Sequence, residues 1–213
     1  MEDLRLNPTL SAASRETLAR RGLSRLWEEA EPLPGGRGSA RLLRLEGVPF
    51  VVKRERRGGR LSALFPDRYL SKGPFLKEWA LGLHLSERGL APEPAALLLQ
   101  GCPLGFRAVA MTSALLPSRS LAELWREGAL GGGTLGRVGE AVSALHRAGV
   151  IHGDLNAGNL LFTEAPLPLL IDLRHSRWTQ EPPAPAARRH NLLRLCRSLH
   201  KLQRLHGLAW PED

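Results

Sequence analysis

A chain of 213 residues with 43% hydrophobic side chains can build one domain or two small lobes around a core, which excludes a disordered chain. Its formal charge of +9 points to anionic partners, but one tyrosine and five phenylalanines offer little for base stacking, so nucleic acid is the least suited of them. Two distant cysteines, Cys102 and Cys196, exclude a disulfide framework, and no apolar run approaches the roughly 18 residues of a membrane span, so a cytoplasmic protein with reduced thiols is expected.

In chain order, "SRETLARRGLSRLWEEA" (residues 14–30) reads as one helix, ended by "EPLPGGRGSA". "ARLLRLEGVPFVVK" reads as a hairpin turning at Gly47. Leu43, Leu45, Phe50 and Val52 alternate on one face, and Val51 and Lys53 share the other. A helix is predicted from Phe75 to Arg88, stopped by Gly89, and then two strands, "AALLLQ" and "FRAVAMT", around "GCPLG". Ser120 and Glu123 have capping-box spacing at the start of "SLAELW". Leu135, Val138, Val142 and Leu145 mark a helix before Gly149. A short strand, "LPLLID", precedes a last helix from about His190 to His206. Leu192, Leu195, Leu199 and Leu202 point inward on that helix, while Arg194, Arg197, Lys201 and Arg204 recur at helical spacing as a solvated outer face, with a second basic face the alternative. The sum is an α+β architecture of two lobes, a β-rich lobe over residues 1–112 and a shortened α-helical lobe over residues 113–213, which the loop described next makes protein-kinase-like.

Between the second-lobe helix and its strand lies "IHGDLNAGNLLF", whose H-x-D-L-x-x-x-N spacing matches the catalytic loop of kinases. Asp154 is placed to accept or orient the proton of an attacking hydroxyl. Asn159 and the later Asp172 are placed to hold Mg²⁺ at the phosphates. His152 reads as a brace between this loop and the strand that carries Asp172. In the first lobe, Lys53 ends a "VVK" strand as a nucleotide-anchoring lysine does. Val51 can touch the adenine of ATP, and Glu78 is the expected partner of Lys53, with Glu87 the alternative. Gly36 and Gly38 form a candidate phosphate-covering turn, with Arg41 where a third glycine is usual.

Gly153 stands where many regulated protein kinases have arginine. Leu173 and Arg174 follow Asp172 in place of Phe-Gly, and no A-P-E segment follows. These departures favour a small or lipid-linked acceptor over an extended peptide.

The segments "KRERRGGRLSALFPDRYL", "FLKEWALGLHLSERGLAPEPAA", "SRSLAELW", "HRAGVIHGDLNAGNLLF" and "RHNLLRLCRSLHKL" resemble the Kdo kinases and related lipopolysaccharide core kinases of Gram-negative bacteria. That resemblance implies transfer of the ATP γ-phosphate to a hydroxyl of Kdo, the 4-OH, on a lipid A precursor at the cytoplasmic face of the inner membrane, with Asp154 catalytic. Where the family tends to read "IDFDKGR", this chain reads "IDLRHSR". Arg56, Arg57 and Arg60 become candidates for contact with the anionic lipid-linked sugar or the anionic membrane surface, against a plain solvated turn. Other small-molecule phosphotransferases of the aminoglycoside or choline kinase type, and small atypical protein kinases, share "HGDL" and remain alternatives. A binding-only pseudokinase has no need of Lys53, Asp154, Asn159 and Asp172 together.

Overall fold

The structure is a computed structural model that describes residues 2–33, 40–56, 67–207 and 210. Its contacts divide the chain into two units, residues 1–79 with 93–114, and residues 80–92 with 115–213. The stretch 80–92, counted above with the first 112 residues, belongs to the second unit because Leu81, Leu85, Leu90 and Ala91 are buried in that unit's core.

The first unit opens with β1 (Glu2–Leu6), α1 (Ala12–Arg21), α2 (Leu23–Glu29) and β2 (Glu31–Pro32). The hairpin β3 (Ala40–Leu45) and β4 (Val48–Arg54) follows, then α3 (Gly73–Ser86), β5 (Pro94–Cys102) and β6 (Gly105–Ser113). The strands form one antiparallel sheet in the order β1-β5-β6-β4-β3-β2. Strand alternation sorts its side chains onto two faces. Leu43, Leu45, Phe50, Val52, Ala96, Leu98 and Met111 cluster with Leu18, Leu26 and Trp27 of α1 and α2. Leu97, Leu99 and Ala108 cluster instead with Phe75, with Leu76 and Trp79 packed against them. The unbroken apolar run of β5 is thus explained by burial on both faces.

The single helix expected over residues 14–30 is two helices. Gly22 between them has φ +77°, outside the helical region, and its N–H bonds back to Leu18 O. Arg41, which stands where a third glycine is usual, has partners of its own: its Nη1 donates to the α2 C-terminal carbonyls of Trp27, Glu28 and Ala30, and its guanidinium lies 4.3 Å from the centre of the Trp27 ring. A cation among unsatisfied C-terminal carbonyls is a favourable cap.

The second unit contains the rest of α3, then β7 (Arg119–Ser120), α4 (Leu121–Arg126), α5 (Thr134–Arg147) and β8 (Val150–Ile151). It continues with a 3-10 turn (Ala157–Asn159), β9 (Leu160–Phe162), β10 (Leu169–Leu170), β11 (Arg177–Trp178) and α6 (Pro185–His206). The α4 capping box forms as the spacing predicts, with Ser120 and Glu123 each accepting from the other's backbone N–H. Val138, Val142 and Leu145 of α5 are buried with Leu155, Leu160 and Leu170.

The inward stripe of α6 departs from expectation at one place. Leu195 and Leu199 are buried, but Leu192 is 42% exposed, and Asn191 takes the inward position beside it at 2% exposure.

Candidate active site

The catalytic-loop segment runs from the end of β8 to the start of β9. β8 is paired with β11 and β9 with β10, so the two ends of the loop are fixed to the two ends of the segment that carries Asp172. Ile171 N–H donates to Asn159 O at 3.1 Å, which sets Asn159 next to the approach to Asp172.

His152, 1% exposed, braces the loop as its spacing predicts. Its Nδ1 accepts the Asp154 N–H at 3.1 Å, so the ring proton sits on Nε2, which donates to Ile171 O at 2.9 Å. Burial pushes the His152 imidazole below its ordinary pKa, against the opposing pull of its bond to Ile171 and the nearby carboxylates, and so keeps this neutral tautomer.

Gly153 has a steric reason of its own. A Cβ at residue 153 would lie 2.2 Å from His175 O and 2.3 Å from His175 C, so the backbones on the two sides of the site approach closely only because no side chain intervenes. The Gly153 N–H completes the contact by donating to Ser176 Oγ.

The Asp154 main-chain carbonyl accepts from Asn156 Nδ2 at 3.1 Å and from Asn159 Nδ2 at 2.9 Å. Asn156 Oδ1 in turn accepts the Gly158 N–H, a local turn that caps the 3-10 segment. The Asp154 carboxylate accepts both Nε (3.1 Å) and Nη2 (2.6 Å) of Arg194 on Oδ1. That bond to Arg194 holds the Asp154 carboxyl below its usual range, outweighing the opposite effect of partial burial.

The other side of the site is Asp172, exposed and held at φ +62°. A non-glycine residue in that region is sparsely populated and costs of order 1–3 kcal/mol, which the surrounding strands must over-determine. Among the described residues, its carboxylate has no hydrogen-bond or ion-pair partner. Because Asn159 Nδ2 is committed to Asp154 O, the amide oxygen of Asn159 remains for another partner. A carboxylate and an amide oxygen on paired segments suit a hard divalent cation such as Mg²⁺. No group of three or more His, Cys, Asp or Glu among the described residues could hold a metal. An ion here would therefore take the rest of its shell from phosphate and water.

Three α6 side chains at helical spacing hold this loop: Asn191 and Ser198, which the sequence does not single out, and Arg194, expected on the outer face and found instead on Asp154. Asn191 Nδ2 donates to His152 O at 2.8 Å, and its Oδ1 accepts from His152 N–H and His146 Nε2. Arg194 takes the Asp154 carboxylate, and Ser198 Oγ accepts the Ala157 N–H. The available signal was a polar residue one turn before Leu195 in an apolar stripe.

In the first unit, Lys53 and Val51 share the face of β4 opposite the buried Phe50 and Val52. Lys53 Nζ lies 3.7 Å from Oε2 of Glu55, whose side chain is 4% exposed. This ion pair runs to a carboxylate the sequence reading did not consider. Glu78 is half-buried in α3, one turn beyond Phe75, which belongs to the cluster on the Lys53 side of the sheet. Arg56 is exposed, and Gly36, Gly38, Arg57 and Arg60 lie outside the described residues.

Known proteins resemble this chain in sequence and in fold. The model of the lipopolysaccharide kinase (Kdo/WaaP) family matches residues 27–210. Proteins named 3-deoxy-D-manno-octulosonic acid kinase from Xanthomonas axonopodis pv. citri (strain 306) and Xylella fastidiosa (strain M23) are each 36% identical to this chain over 182 residues, covering 83% of it and 72% of theirs. Among solved structures, the kinase domain of maize sucrose-induced receptor kinase 1 bound to AMP-PNP aligns with a TM-score of 0.54 at 17% identity. That alignment covers 82% of this chain and 59% of that one, and it shows a shared fold.

Proposed function

Because the chain belongs to the lipopolysaccharide kinase (Kdo/WaaP) family, and is therefore an ATP-dependent phosphotransferase, we propose that it phosphorylates a hydroxyl of Kdo, the 4-OH, on a lipid A precursor. The observation that carries this reading is the fixed catalytic loop, in which His152, Asn156 and Asn159 lock the backbone of Asp154 while its carboxylate faces outward, 44% exposed. Asp154 orients the acceptor hydroxyl and takes its proton as the bond to the γ-phosphorus forms and the β,γ-anhydride breaks to release ADP. Phosphoryl transfer needs little covalent participation by the protein, so holding this geometry is most of the catalysis.

Asp172 and Asn159 would hold Mg²⁺, which when bound neutralises charge on the phosphates. Lys53 anchors the nucleotide phosphates, with Glu55 and Glu78 as its carboxylate partners, and Val51 lies against the adenine. Gly36 and Gly38 cover the phosphates. Arg56, Arg57 and Arg60 meet the anionic acceptor or the membrane surface, and the charge of +9 supports peripheral attachment at the cytoplasmic face of the inner membrane. Among the described residues no helix is long and apolar enough to cross a membrane.

The test is to offer purified protein ATP, Mg²⁺ and one of three acceptors: Kdo-bearing lipid A precursor, aminoglycosides or a protein extract, with the product identified by mass spectrometry. Phosphate on the Kdo residue alone is expected. Phosphorylated aminoglycoside or protein with untouched Kdo would replace the reading by one of the other kinase classes.

A further inference from the structure

The contact between Arg194 and Asp154 does more than position the loop. Of the three α6 side chains that touch it, Asn191 and Ser198 bond only main-chain groups of the loop, whereas Arg194 alone reaches the side chain placed at the acceptor hydroxyl. A guanidinium has five N–H donors. Here Nε and one N–H of Nη2 go to a single oxygen, Asp154 Oδ1. The end of the fork formed by Nη1 and the second N–H of Nη2 has no hydrogen-bond or ion-pair partner among the described residues. The side chain is 44% exposed, as is that of Asp154, so this edge is open to an acceptor standing at the carboxylate. A guanidinium fork is shaped for bidentate binding of a carboxylate or phosphate.

We propose that Arg194 is the acceptor-recognition residue: its free edge binds the carboxylate of an acidic sugar whose hydroxyl is presented to Asp154. One planar cation would thereby fix the acceptor's anionic group and the catalytic carboxylate relative to each other. The inference rests on the acidic-sugar reading above and adds the residue that selects for the acid. Two flanking loop contacts, from Asn191 and Ser198, keep α6 registered on the loop without Arg194, so replacing it tests recognition and not folding.

The experiment compares the Kdo-bearing lipid A precursor with the same acceptor whose Kdo carboxylate is a methyl ester, in the wild type, Arg194→Gln and Arg194→Lys. The wild type should prefer the acid by about tenfold or more in kcat/KM, the scale of a charge-assisted hydrogen bond. In Arg194→Gln the acid and ester should become equivalent, while KM for ATP stays within about twofold of the wild type. Arg194→Lys, which keeps charge and loses the fork, should retain part of the preference. If Arg194→Gln slows acid and ester by the same factor and keeps the tenfold preference, Arg194 only positions Asp154 and the proposal fails. A rise in KM for ATP with the acid preference intact would assign the free edge to the nucleotide phosphates and also overturn it. Wild type inactive on both acid and ester would instead reject the acidic-sugar reading itself.

Discussion

At the scale of single residues, the functional spacing 152–159 is recognisable in sequence because each of its members makes a local bond. His152 reaches the Asp154 N–H, and Asn156 and Asn159 both reach Asp154 O, so short-range spacing carries the information. Gly153 was legible as a departure but not in its cause, since His175 comes close only after two strand pairs have formed. The cause gives a prediction. In Gly153→Ala the added carbon meets a main-chain carbonyl at 2.2 Å, and neither strand-anchored segment can retreat cheaply. The variant should lose about 1–3 kcal/mol of stability, as overpacked sites do, and transfer activity should fall with it because Asp154 is the next residue. Thermal melting and a turnover assay on the same sample check this. Wild-type values in both would show that the close approach is not required.

At the scale of elements, α6 is where sequence periodicity misleads. The helical repeat identifies Leu195 and Leu199 correctly, but choosing Leu192 as the next inward residue follows hydrophobicity, and the structure puts Asn191 there. A buried asparagine is stable because its amide is satisfied by the loop, and that partner lies about 40 residues away, beyond the reach of any local pattern. Asn191→Leu keeps an apolar stripe yet strips His152 N–H, His152 O and His146 Nε2 of their partner. With each buried orphan costing about 1–3 kcal/mol, a loss of at least about 2 kcal/mol is expected in urea unfolding, together with loss of turnover. The reciprocal change Leu192→Asn, at an exposed site, should stay within about 0.5 kcal/mol of the wild type. Equal effects of the two substitutions would mean that the stripe has been assigned to the wrong residues.

At the scale of the whole molecule, the kinase-like α+β class was legible from strands preceding helices and from one motif. The boundary between the units was less so, because α3 continues unbroken past the point where burial passes from Phe75 and Trp79 to Leu81 and Leu85. Stability should also depend on pH in a defined direction. His146 and His152 are both held below their ordinary pKa in the folded chain, chiefly by burial. The unfolded chain binds protons at these imidazoles below about pH 6.5 and the folded chain resists doing so, so their contribution is intact above that value and is lost as the pH falls below it. Urea midpoints measured from pH 8 to pH 5 should be level at first and then decline, and the decline should shrink in His146→Gln. A midpoint that rises on acidification would contradict the sign. The central claim, that Asp154 acts on the acceptor of a phosphotransferase, is tested most directly by Asp154→Ala, comparing phosphate transfer to the Kdo-bearing acceptor with ATP binding by calorimetry. Transfer should fall by about 10²–10⁴ while ATP affinity stays within a few-fold of the wild type, because the carboxylate orients the hydroxyl and not the nucleotide. Near-normal transfer by the variant would contradict the account.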